Sequence, residues 1–187
     1  NRAGQEMRES MECLLGPESE GVFVGTFHLL GLMILREALC DGFVVYSNEE
    51  QLNVVKGLCK EGASQSRELV DSISRIKSLL ETPSEEMRHV YEAYEAALRD
   101  KGAMDFDDLI LRPIELLENP RFVSGYRERF RHIIVDEYQD INTAQYRLLR
   151  LLARDRAGRV GLSPASAGNG KNGTATSGAA ASGFGSG

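Results

Sequence analysis

Apolar residues recur at three- and four-residue spacing along most of this chain, and the recurrence breaks twice into short apolar runs. The opening segment NRAGQEMRESMECLL sets Met7, Met11, Leu14 and Leu15 at helical spacing, which predicts a helix. Val22 to Phe27 is short and rich in strand-forming residues, and predicts a strand. The helix expected behind it carries Leu32, Leu35 and Leu39 on one face. Leu30, Met33 and Ile34 make it apolar nearly all round, the pattern of a buried helix.

From about Asp41 the pattern changes to short amphipathic helices with explicit start signals. Ser47 and Glu50 form a capping box ahead of Leu52, Val55 and Leu58. Leu69, Ile73, Ile76 and Leu80 mark one face of a second helix. Thr82-Pro83-Ser84-Glu85 predicts a third start, with Thr82 as the cap and proline in the first turn. It leads into Met87, Val90, Tyr91, Tyr94 and Leu98, and all these stripes read as helix-packing core. Asp105 is expected to cap FDDLILRPIELL, with Pro113 expected to kink or interrupt that helix.

After Pro120 come a polar helix, a second apolar run from His132 to Val135, and a last helix, NTAQYRLLRLLARD, for which Asn142 and Gln145 look like a capping pair. Strands joined through long helical connections imply a parallel sheet. The fold class expected is therefore α/β, with an all-helical insert.

Composition changes this picture at one end. Residues 161 to 187 hold eight glycines, scattered Ala and Ser, and one charge, Lys171. Such a stretch buries too little apolar surface to offset chain entropy, so a disordered low-complexity tail is expected. AGNGKNGT within it fails the phosphate-loop spacing G-x-x-x-x-G-K-S/T, because position 165 is Ala and position 172 is Asn. A linker or a translated frameshift explains the tail better.

The net charge of −6 argues against a purely electrostatic nucleic-acid binder and leaves room for a local groove. Cys13, Cys40 and Cys59 are scattered without a C-x-x-C pair, and are expected to be buried thiols in a reducing compartment. No run approaches 18 apolar residues, so no membrane span is expected. The N-terminal segment carries mixed charge and is not a targeting sequence. A cytoplasmic location follows as the expectation.

The chemistry concentrates in HIIVDEYQD, residues 132 to 140. In open parallel sheets, ligands bind at the carboxyl ends of strands, and there an apolar run ends in Asp136 and Glu137. One carboxylate can hold Mg²⁺, a hard ion that prefers oxygen ligands. The other can take a proton from an attacking water, a contribution of about 10² to 10⁴ in rate. That division suits phosphoryl transfer from a nucleoside triphosphate. Gln139 can hydrogen-bond the attacking water or a terminal phosphate.

IIVDEYQD followed by INTAQYRLLRLLA resembles motif II of the UvrD/PcrA/Rep-type superfamily 1 DNA helicases. NRAGQEM is similar to the motif behind that family's Walker A helix, with Gly4 in place of the usual alanine. GTFHLLGLMILRE resembles its Thr-Phe-His motif, with Leu29 where a small polar residue is common. MDFDDLI resembles the segment that re-enters the first RecA-like domain. The matches run in family order over residues 1 to 161.

The resemblance implies a partial RecA-like motor domain of the P-loop NTPase type, formed by residues 1–40 and 105–160. Residues 41–104 would be the helical insert subdomain, and 161–187 the Gly/Ala/Ser tail. It further implies an ATP-dependent helicase moving 3′ to 5′ on single-stranded DNA. Asp136 would coordinate Mg²⁺ bound to ATP, Glu137 would activate water, and Gln139 would sense the γ-phosphate. Asp140 would orient neighbours. Asn1, Arg2, Thr26, Phe27 and His28 would lie on the single-stranded DNA track.

A Walker A loop and a second motor domain are missing from the 187 residues, so the chain alone is expected to be an inactive fragment. Its sheet is expected to expose an apolar edge and to self-associate non-specifically. Two rival readings stand beside this one. The first is a non-catalytic DNA- or protein-binding module built on the helical insert. The second is a two-carboxylate metal hydrolase recruiting Asp105, Asp107 and Asp108, acids that read first as helix-start residues.

Overall fold

A computed structural model of the protein describes residues 21–40, 42–58 and 63–153, with residues 6, 9–10, 13–14 and 16–19 ahead of them. After a 3₁₀ turn at Gly16–Ser19 come α1 (Phe27–Leu39), β1 (Val44–Val45), α2 (Asn48–Leu58), α3 (Ala63–Leu79) and α4 (Glu85–Asp100). Then follow β2 (Ala103–Met104), α5 (Asp108–Leu117), α6 (Pro120–Arg129), a 3₁₀ turn at Tyr138–Asp140, and α7 (Thr143–Ala153).

The start signals position most of these helices. Ser47 and Glu50 exchange backbone-to-side-chain hydrogen bonds of 2.7 and 3.4 Å ahead of α2. Asn142 and Gln145 do the same at 3.1 and 2.9 Å ahead of α7. For α4 the cap is Ser84, whose hydroxyl accepts from the Met87 N–H, and not Thr82 two residues earlier. Ser84 is the residue with both an extended backbone (φ −61°, ψ 162°) and an oxygen within reach of a first-turn amide.

Apolar burial divides into two clusters. One joins Ile34 of α1, Ile110, Ile114 and Leu117 of α5, Val123 and Tyr126 of α6, and Ala144, Leu148 and Leu152 of α7. The other joins Val54 and Val55 of α2, Ile73 of α3, Tyr94 and Leu98 of α4, and Ala103. The described sheet consists of β1 and β2, paired in parallel as Val44 with Ala103 and Val45 with Met104. This pair holds the two ends of the α2–α4 segment side by side.

Several expectations are corrected. Neither Val22 to Phe27 nor His132 to Val135 is a strand. Phe27 opens α1, and the first run meets the end of α6 through an edge-to-face contact of Phe23 with Phe130, centroids 6.3 Å apart, with no ladder between the two runs. A strand exists only where a neighbour takes its backbone groups; among the described residues none lies beside 132–135, and Ile134 is 96 % exposed.

Pro113 does not interrupt α5, which runs through it to Leu117. Leu80 lies beyond α3, exposed and at φ +57°. Cys13 and Cys40 are free but exposed, not buried; Cys40 adopts φ +52° as the left-handed cap of α1. Cys59, Met7, Met11, Leu15 and residues 154–187 lie outside the described residues.

Candidate nucleotide and nucleic-acid site

α7 anchors the acidic loop, because Ala144, Leu148 and Leu152 bury one helix face in the first cluster. On the other side Phe130 packs against the same cluster. Residues 136–140 are strung between these anchors, and all five are exposed.

Glu137 has left-handed backbone angles, φ +47° and ψ +42°, a conformation uncommon outside glycine and asparagine. The Asp136 carboxylate accepts the Glu137 N–H at 3.0 Å, and the Glu137 carbonyl accepts the Asp140 N–H at 2.9 Å. Gln139 donates its amide to Glu137 Oε2 at 2.5 Å. The loop therefore gathers an aspartate, a glutamate and a glutamine around one turn. Strain of this kind, of order 1–3 kcal/mol, is typical of functional loops.

Asn1 and Arg2 lie outside the described residues. Thr26 caps α1, its hydroxyl accepting the Leu29 N–H at 3.2 Å. Phe27 packs partly into the first cluster. His28 stacks on Phe106, with ring centroids 3.9 Å apart and planes 21° from parallel, and burial pushes its pKa below the ordinary value. Half of Phe106 remains exposed.

The acids of the rival hydrolase reading have another occupation. Lys77 of α3 is fully buried, and its ammonium lies 2.7 Å from Asp105, 2.9 Å from Asp108 and 2.6 Å from Glu95 of α4. The Glu95 oxygen is off-line for a directed hydrogen bond, so that contact is an ion pair. The Tyr94 hydroxyl donates to Asp105 at 3.0 Å, and Arg112 bonds the outer Glu95 oxygen at 2.7 Å.

Glu95, Asp105 and Asp108 stand close enough to hold a metal ion, but the lysine ammonium is already among them. Asp105 and Asp108 also exchange backbone-to-side-chain hydrogen bonds of 2.8 and 3.1 Å, a capping box for α5. The helix-start reading of these acids therefore holds, and a lysine supplies the cation.

Burial alone would lower the Lys77 pKa, but the surrounding carboxylates outweigh it and raise it. Burial raises Asp108 to about 6, because three carboxylates compete for one ammonium and Lys77 offsets only part of the penalty. The sequence did carry a signal for Lys77. It falls four residues after Ile73, on the apolar stripe of α3, where a charge needs a buried partner.

The family model of the UvrD/REP helicase N-terminal domain matches residues 1–161, a span that includes the acidic loop, the α1 start and the Asp105–Asp108 turn. This chain belongs to the UvrD/REP helicase family. It is 35 % identical over 179 residues to ATP-dependent DNA helicase Rep of Escherichia coli strain K12, covering 84 % of this chain and 27 % of Rep. It is 34 % identical over 175 residues to ATP-dependent DNA helicase PcrA of Bacillus subtilis strain 168, covering 82 % and 24 %. The PcrA of Staphylococcus aureus strain Mu50 / ATCC 700699 is 33 % identical over the same shares. This UvrD/REP chain thus spans about a quarter of the length of the curated relatives it matches. Among its described residues, no helix is long and apolar enough to cross a membrane.

Proposed function

We propose that this chain is part of an ATP-dependent DNA helicase that couples Mg²⁺-ATP hydrolysis to 3′-to-5′ movement along single-stranded DNA in the cytoplasm. The observation that carries the reading is the DEYQD loop, with its carboxylates exposed on a turn anchored by α7, in a chain of the UvrD/REP family. Residues 1–40 and 105–160 would form part of the RecA-like motor domain and 41–104 its helical insert. The two apolar clusters support that division, since their members separate along the same lines.

The donor set fits the nucleotide's metal. Asp136 and Glu137 offer exposed carboxylate oxygens, the ligand type Mg²⁺ prefers. When bound, Mg²⁺ offsets negative charge on the phosphates of ATP. Asp136 would hold that ion. Glu137 would accept the proton of the attacking water, and Gln139, already hydrogen-bonded to Glu137 Oε2, would orient the base and contact the terminal phosphate. Asp140 keeps the turn closed through its backbone N–H.

On the nucleic-acid side, Asn1, Arg2, Thr26, Phe27 and His28 would follow the DNA backbone and bases. Base stacking on a ring is worth roughly 1–3 kcal/mol and tolerates any sequence. Thr26 contributes by fixing the start of α1, and Phe27 by joining that start to the core.

Residues 1–187 contain no G-x-x-x-x-G-K-S/T loop, so by itself the chain is expected neither to hydrolyse ATP nor to unwind DNA. The test is a titration of the purified chain with a fluorescent ATP analogue and Mg²⁺, alongside Asp136→Ala. Absence of binding fits a half-site. DNA-stimulated ATP hydrolysis by the chain alone would overturn its predicted inactivity.

A further inference from the structure

The turn from Asp105 to Asp108 faces two ways. The carboxylates of Asp105 and Asp108 point into the buried cluster around Lys77, and the ring of Phe106 between them points out onto His28. The turn has no side-chain cap at Asp107, the residue just before α5; its closure comes from the reciprocal Asp105–Asp108 hydrogen bonds. Both of those side chains are at most 2 % exposed and both bond the Lys77 ammonium. Tyr94 adds a further hold on Asp105, and Phe106 is half exposed.

We infer that Lys77, a residue of the helical segment, is a positioning residue for the His28–Phe106 stack. The ammonium ties down both ends of the turn, so the ring between them is presented to the imidazole in one place. Removing the cation leaves Glu95, Asp105 and Asp108 gathered in a buried space, with Arg112 still paired to Glu95 and Asp108 at its edge. Their mutual repulsion opens the turn, and the stack goes with it. The α3–α4 helices and the start of α1 are thereby coupled through one buried side chain. Its bearing on DNA rests on the proposed placement of His28 along the strand.

The experiment uses the whole chain, which has three histidines, and follows their imidazole proton–carbon correlations by NMR. Phe106→Leu supplies the reference positions for His28 without a ring above it. With Lys77→Met, the His28 ring protons are expected to move downfield most of the way to those reference positions. With Tyr94→Phe, which removes a single hydroxyl from the cluster, they are expected to move part of the way. Val55→Ala, which loosens the second core but removes no polar group from the cluster, is expected to leave them in place.

A folded Lys77→Met chain with His28 at its wild-type positions overturns the inference. Should that variant not fold, wild-type positions in Tyr94→Phe overturn it equally. Binding of a fluorescent single-stranded oligonucleotide is measured on the same samples. Displaced His28 signals with unchanged DNA affinity would uphold the positioning role and refute the placement of His28 on DNA.

Discussion

Gly31 of α1 lies against the carbonyl of Leu109 in α5, so closely that a β-carbon on Gly31 would stand 1.7 Å from that oxygen. The same carbonyl is the one that Pro113, four residues on, cannot bond, having no N–H. The proline ring is 3.3 Å from that β-carbon position. A glycine in one helix therefore fits where a proline in the next has left an acceptor free, and the α-carbon hydrogens can partly satisfy it.

Gly31→Ala should therefore destabilise the chain, although alanine in a helix interior is ordinarily better than glycine by about 1 kcal/mol. Overpacking against backbone is expected to reverse the sign, with a loss of roughly 1–3 kcal/mol. Urea unfolding of the two proteins checks it, and a gain in stability would show that α1 and α5 do not meet at this point.

Lys77→Met tests the buried cluster as a stability element. Methionine matches the stem but leaves three carboxylates without their cation. Breaking a buried pair by removing one partner costs about 3–5 kcal/mol, so the denaturation midpoint should fall sharply. A loss within about 0.5 kcal/mol, the range of an ordinary surface change, would contradict the cluster.

Acidification should act through Asp108. Its carboxyl is raised to about 6 by burial in the folded chain, above its ordinary value, so the folded state binds this proton more tightly than the unfolded state does. The contribution of this group to stability therefore grows as pH falls through about 6, with a slope of up to about 1.4 kcal/mol per unit, and levels off near the unfolded value. Asp108→Asn removes the titration. The stability of the wild type relative to this variant is expected to be greater at about pH 5 than at about pH 7. A difference independent of pH would refute the assignment.

Ile134 is 96 % exposed beside Ile133 at 37 %, on a segment without a strand neighbour among the described residues. Such an apolar run favours association between copies of the chain. Ile134→Lys should reduce self-association in sedimentation velocity while changing stability by no more than about 0.5 kcal/mol. Equal association in both proteins would place the contact elsewhere.

What could be read from the residues alone was local. The capping boxes at Ser47/Glu50 and Asn142/Gln145, the apolar faces of the helices, and the D-E-Y-Q-D motif each depend on neighbours a few positions apart. Tertiary structure decided the remainder. An apolar run such as His132–Val135 is a strand only if another strand accepts its backbone, and no spacing within the run can report that partner. Pro113 breaks a lone helix by rule, yet α5 continues through it, with Gly31 of α1 packed against the carbonyl it leaves free. Lys77 and the Asp105–Asp108 turn are 28 and 31 positions apart, and their charges can share one buried space only after α3 and α5 have packed. The acids looked like a cap in the sequence. Packing made them a cap and the counter-charge of a buried lysine at once.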